Sequence, residues 1–154
     1  MTDLKENDIY RGVKGWLLLL CLSLTFLDPL SMLFNLFVLS NLTRPYFETY
    51  KGLFNLILVN GIFTIGLVVF SIYAGVSLWR LTAHAVHTAK RYFMSIFFYS
   101  ILTIFLPDIF GVSENIYKKF GGNNMLNSII TMCYATLWYI YLTKSRRVRY
   151  TYNK

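Results

Sequence analysis

A carboxylate set deep in an apolar run is the side chain of this sequence with the most chemistry to offer. Asp28 is the one charged residue between Lys14 and Arg44, and it stands directly before Pro29. An ionised carboxylate at membrane depth is costly. Such a group therefore holds a proton, accepts hydrogen bonds inside a helix bundle, or is reached by water. Thr25, Asp28, Ser31 and Asn35 recur at helical spacing and are expected to form one inward-facing polar stripe. Pro29 lacks an N–H, which frees the Thr25 carbonyl and predicts a bend over residues 25–29. Two uses fit these residue types. The stripe can be hydrogen-bonding glue between helices, or it can line a polar pocket for a cation or proton.

Other residues extend both readings. Asp108 follows Pro107 near the end of the third apolar run, where the proline is expected to begin the helix's termination. If Asp28 and Asp108 met, their like charges would favour one of them keeping a proton; alone, Asp108 would cap a helix or hold a loop base. In the second run Asn60, Thr64, Ser71 and Gly75 fall near one face, and Ser71 with Gly75 forms a small-xxx-small pair suited to close helix approach. The fourth run carries Asn127 or Ser128, Thr131, Ala135 and Trp138 along one side. His84 and His87 lie three apart without a nearby carboxylate or thiol, so no metal site is assigned. Cys21 and Cys133 sit inside apolar runs, where packing is the expected role. With no glycine-rich phosphate loop, zincin helix or serine elbow, neither a catalytic residue nor a cofactor is assigned.

The elements that must hold these residues follow from composition. Of 154 residues 56% are hydrophobic and only 14% charged, and four long apolar runs account for the imbalance. A soluble domain has too little polar surface here to cover four all-apolar helices. The expectation is an all-α membrane protein, a four-transmembrane-helix bundle forming a single membrane domain over 1–154. Its helices are placed near 15–39, 53–79, 92–110 and 125–143. The head before Lys14 is too acidic for a secretory leader, so the first run is expected to stay attached.

The formal charge of +8 does not point to nucleic acid, because the bases cluster at the ends of apolar runs. Lys14, Arg80, Lys90, Arg91, Lys144, Arg146, Arg147 and Arg149 are read as lipid and topology contacts. With four crossings, eleven Lys and Arg fall on the side of the termini and the second connection. Four (Arg44, Lys51, Lys118 and Lys119) fall on the other. This bias places both termini in the cytoplasm and, by distance along the helices, Asp28 and Asp108 in the outward half.

Gly15-Trp16-Leu17, Asp28-Pro29-Leu30, and the ending from Trp138-Tyr139 through Ser145-Arg146-Arg147-Val148-Arg149 to Thr151-Tyr152 carry a resemblance. They resemble the domain-of-unknown-function 2569 family over most of the chain. Two positions depart from it: Lys14 stands where paired glycines are common, and Asp28 where a serine is common. The resemblance implies a small bacterial inner-membrane protein with four helices, and implies no activity or substrate. The leading expectation is a non-enzymatic multipass protein in the lipid bilayer, an accessory subunit with a membrane-protein partner or a homo-oligomer. The alternatives are a small transporter or proton/cation pathway through the buried acids, and an unrecognised membrane enzyme.

Overall fold

The computed structural model describes residues 12–112 and 124–152 of the chain. The head residues Lys5 and Arg11, the loop residues Glu114, Lys118 and Lys119, and Lys154 lie outside them. The first span is broken in two: α1 (Trp16–Leu22), a π-helical turn (Ser23–Leu27) and α2 (Asp28–Thr43), with a 3₁₀ turn over Arg44–Tyr46. The remaining spans are α3 (Lys51–Trp79), α4 (Ala85–Ile109) and α5 (Asn124–Lys144), and a short α6 (Arg146–Tyr152) ends the described chain. Four helical segments are long and apolar enough to cross a membrane, and the fold is an all-α bundle of four spans.

The spans are apolar around their whole circumference, so polarity does not say which face turns inward. Spacing and side-chain fit do. In α1 and the turn after it Leu17, Leu20, Cys21 and Leu24 are fully buried, the i, i+3, i+4, i+7 pattern of one helix face. Leu18, Leu19 and Leu22 are exposed to the lipid side. Because lipid tails are as apolar as leucine, what holds these faces together is close van der Waals packing and interhelical hydrogen bonds. The main core lies where α1, the end of α3, the start of α4 and the end of α5 converge, around Leu78, Ala85, Ala89, Tyr92, Phe93 and Leu142. A smaller cluster of Leu53, Leu56, Ile57, Leu106 and Val112 closes the other end of α3 against α4.

The break in the first span has a specific partner. In the π turn the Asp28 N–H donates to the Ser23 carbonyl, five residues back. In that register the next bond would run from residue 29 to the Leu24 carbonyl, and Pro29 has no N–H to make it. The Ser71 hydroxyl supplies the missing donor, at 2.7 Å from the Leu24 oxygen. Gly75, one turn on, lets α3 come this close: a Cβ there would stand 2.5 Å from Thr25 Oγ1 and 3.0 Å from the Thr25 nitrogen.

The ends of the described chain meet each other and the last turn of α3. Gly12 N–H donates to Thr151 Oγ1 at 3.3 Å, Arg147 to the Lys14 carbonyl at 2.8 Å, and Tyr152 OH to the Leu78 carbonyl at 2.8 Å. Burial pushes the Tyr152 phenol pKa up, which keeps the group protonated as a donor.

Two boundaries differ from expectation. The first span continues helically to Thr43, past residue 39. The third begins at Ala85, seven residues before 92, so the second connection is only the short stretch 80–84. Lys90 and Arg91 look like loop residues by charge. They are helical because Ala85 and Ala89, on the opposite face of the same turns, are fully buried.

Candidate functional site

Asp28 is a meeting point of three spans. Its carboxylate accepts hydrogen bonds from Tyr134 OH of α5 at 2.8 Å, Tyr92 OH of α4 at 3.2 Å and Ser23 Oγ of its own span at 3.4 Å. Ser23 and Tyr134 also bond each other, at 3.0 Å. The residue is 9% exposed, and Phe93 packs edge-on between the rings of Tyr92 and Tyr134. Every donor to the carboxylate among the described residues is a hydroxyl. The acid is held by dipoles, without a cation.

Its level follows from its neighbours. Tyr92 lies seven residues into α4, about 10 Å from the start of that helix. Ser71 and Gly75, which pack on the adjoining turn, lie in the last third of α3. Asp28 therefore sits at the bundle's middle or just to the side of the described termini, not deep in the opposite half. Asp108 is sixteen residues beyond Tyr92 on α4, about 24 Å along the axis, and it is exposed. The structure keeps the two acids apart. Pro107 is buried and α4 ends two residues after it.

The polar stripe does not act as one unit: the π turn rotates Thr25 relative to the residues of α2, and along α2 Asn35 lies seven residues, about 10 Å, beyond Asp28. Thr25 donates to the Cys21 carbonyl at 2.7 Å and accepts from Trp79 Nε1 at 3.2 Å. Ser31 is exposed and bonds back to the Asp28 carbonyl at 3.0 Å. Asn35 belongs to a second site, a half-open cleft of about 220 Å³ in the half of the bundle away from the described termini.

All four spans line this cleft: Asn35 from α2, Asn60 and Thr64 from α3, Tyr99, Ser100 and Thr103 from α4, and Asn124, Asn127, Ser128 and Thr131 from α5. Its polar atoms are neutral amides and hydroxyls. Tyr99 OH donates to Asn60 Oδ1 and lies 3.3 Å from Thr64 Oγ1. Thr103 and Ser128 pair across α4 and α5 at 3.2 Å, and Asn124 Nδ2 donates to the Thr103 carbonyl at 2.7 Å. Asn35 is exposed and makes no hydrogen bond among the described residues.

Sequence reasoning found Asp28, Asn35, Asn60 and Thr64 but missed Tyr92, Tyr134 and Tyr99, which organise both sites. Each counts as apolar in a hydropathy run. The available signal is chemical, since a tyrosine inside a span must find a partner for its hydroxyl. His84 stands at the N-terminal boundary of α4 without a side-chain capping bond, and His87 is exposed one turn later. Among the described residues no group of three or more His, Cys, Asp or Glu could hold a metal ion. Arg147 folds onto the Lys14 carbonyl, while Arg146 and Arg149 are exposed.

Four apolar spans around a hydroxyl-held acid and an uncharged cleft define a multipass membrane protein. Residues 10–153 match the family model described as "Protein of unknown function (DUF2569)", and the chain belongs to that family of small bacterial multipass membrane proteins. No curated protein and no solved structure matches the chain.

Proposed function

We propose that the chain is a non-enzymatic accessory or self-associating subunit of the bacterial inner membrane, with both termini cytoplasmic, and that the uncharged cleft is its interaction site. The observation that carries this reading is Asn35. Its amide lies exposed on a spanning helix, with no hydrogen bond among the described residues. A carboxamide at membrane depth is strongly drawn to a partner, and another spanning segment can supply one. The cleft's volume of about 220 Å³ favours a side chain as the occupant. Pockets for drug-sized molecules run to roughly 300–1,000 Å³.

In this reading Asp28 is a structural hub, since three hydroxyls already occupy its oxygens. The orientation rests on the eleven-to-four excess of bases on the side of the termini.

The test is the mass of the intact assembly after gentle extraction, for the native chain and for Asn35→Leu. The native chain is expected to appear above monomer mass and the variant to shift toward monomer. Monomer mass for both would overturn the proposal. A cross-link from Asn35→Cys then tells a second copy from a different chain. Reporter fusions in the 80–84 connection and at Lys154 should read as cytoplasmic and a fusion near Glu48 should not; the reverse pattern would overturn the orientation.

A further inference from the structure

The lipid-facing seam between α4 and α5 carries a groove that neither polar site uses. It encloses about 200 Å³ and is lined by Phe93, Met94, Phe97, Ala135, Thr136 and Tyr139. Apart from the Thr136 hydroxyl and the Tyr139 phenol its walls are hydrocarbon. At its mouth Lys90 Nζ lies 5.9 Å from the centroid of the Tyr139 ring. A cation so placed is held over the π face while its ammonium still points toward water.

Lys90 and Phe97 are seven residues apart, so the groove runs about 10 Å inward from the ammonium. That length matches part of an acyl chain, about a third of a hydrocarbon core roughly 30 Å thick. Lys90 pairs with no carboxylate among the described residues. His87, one turn earlier on the same helix face, adds a second N–H donor at headgroup level.

We infer that this groove is a binding site for one anionic phospholipid of the leaflet on the side of the termini, with an acyl chain against Met94, Phe97 and Thr136 and the headgroup phosphate on Lys90. Charge selects the headgroup. An ammonium at the open end of an apolar slot complements a phosphate at the end of an acyl chain; a zwitterionic headgroup carries its own cation beside that phosphate, which offsets the attraction that an anionic headgroup keeps. The site stands independently of the cleft, with which it shares no lining residue.

The test uses the full chain in mild detergent, with phosphatidylglycerol and phosphatidylcholine of matched acyl chains, and reads lipid retained on the intact protein. The native chain should retain phosphatidylglycerol in preference. Lys90→Gln should reduce that preference about fivefold, the effect of one juxtamembrane base, while still retaining some lipid. Thr136→Phe, at an exposed lining position, should fill the slot and lower retention of both lipids. Arg80→Gln, an exposed base outside the groove, should leave the preference at the native level. Inorganic phosphate should not displace the lipid, since the acyl chain anchors it. Equal retention of the two lipids by the native chain would overturn the site, as would native behaviour of both groove variants. An equal loss of preference in Arg80→Gln would reduce it to general surface charge and also overturn it. None of these outcomes depends on the mass of the assembly, so this site and the cleft fail separately.

Discussion

The two halves of the bundle use polar residues in opposite ways. On the side of the termini, Asp28, Ser23, Tyr92 and Tyr134 close on one another, Ser71 completes a backbone broken by Pro29, and fully buried Leu17, Leu20, Leu78 and Ala85 pack around them. In the other half, amides and hydroxyls from all four spans line an open cleft, and the buried cluster beside it is small. The same chemical groups therefore make a fastening in one place and a surface in the other. What separates the two is packing. Small residues at 71 and 75 let α3 reach the first span, whereas Asn35 and Asn127 stay exposed at the cleft. A polar network that is satisfied internally rigidifies, and one left open is available to something else.

Crowding the fastening is expected to break the contrast most severely. Gly75→Val places its Cβ where Thr25 Oγ1 and backbone already stand, at 2.5 and 3.0 Å. Backbone cannot give way cheaply, so the variant should lose about 3 kcal/mol or more, or fail to accumulate as folded protein. Gly66 has nothing within 4 Å of its would-be Cβ, and Gly66→Ala is the control expected to be neutral or slightly stabilising. Thermal unfolding in detergent reads both. Equal melting of Gly75→Val and native protein would mean that α3 does not rest on the π turn.

Asp28 comes next. Asp28→Leu removes the acceptor that Tyr92 and Tyr134 share in a packed interior and leaves Tyr134 bonded to Ser23, which should cost about 1–3 kcal/mol. Asp28→Asn keeps an acceptor oxygen and nearly the same shape, so it should cost distinctly less. The measurement is the unfolding of all three proteins across pH and cation concentration. If Asn proves as damaging as Leu, or abolishes an ion-dependent stabilisation seen in the native chain, the hub reading gives way to an ion-linked one. Ser71→Ala should fall lower, near 1 kcal/mol, for leaving the Leu24 carbonyl without its donor.

Much of this arrangement is legible in the sequence, and the reasons it stops are physical. Run length alone gives four spans, since about 20 apolar residues cross a bilayer. The small pair Ser71 and Gly75 and the isolated Asp28 stand out against Leu and Phe. The start of α4 does not, because Lys90 and Arg91 carry loop-like charge while buried Ala85 and Ala89 carry the helix. The π turn is hidden too: a proline predicts a break, but whether it becomes a bend or an extra residue depends on the helix packed against it. That turn sets Thr25 apart from Asp28, Ser31 and Asn35, whereas Asp28 and Asn35 reach different sites because seven residues of α2 carry them about 10 Å apart.

The smallest effect should come from the cleft itself. Asn60 accepts from Tyr99 OH, and removing it would strand that hydroxyl if nothing else were near. Thr64 Oγ1 lies 3.3 Å from the same oxygen, and the cleft is open on one side. Tyr99 therefore has a second partner in place and stands beside the open cleft, whereas Tyr92 at Asp28 is fully buried. Asn60→Leu alone should lower stability by less than about 0.6 kcal/mol, the average worth of a hydrogen bond between spanning helices. Asn60→Leu with Thr64→Val removes both side-chain partners and leaves only the backbone carbonyl of residue 60, at 3.5 Å, so the pair should lose more than the sum of the two single variants. A double-mutant cycle on thermal unfolding measures that excess. Strict additivity would show that the two residues do not share Tyr99. A single Asn60→Leu loss as large as that of Asp28→Leu would show that the cleft is a fastening like the other half, and the contrast between the halves would fall with it.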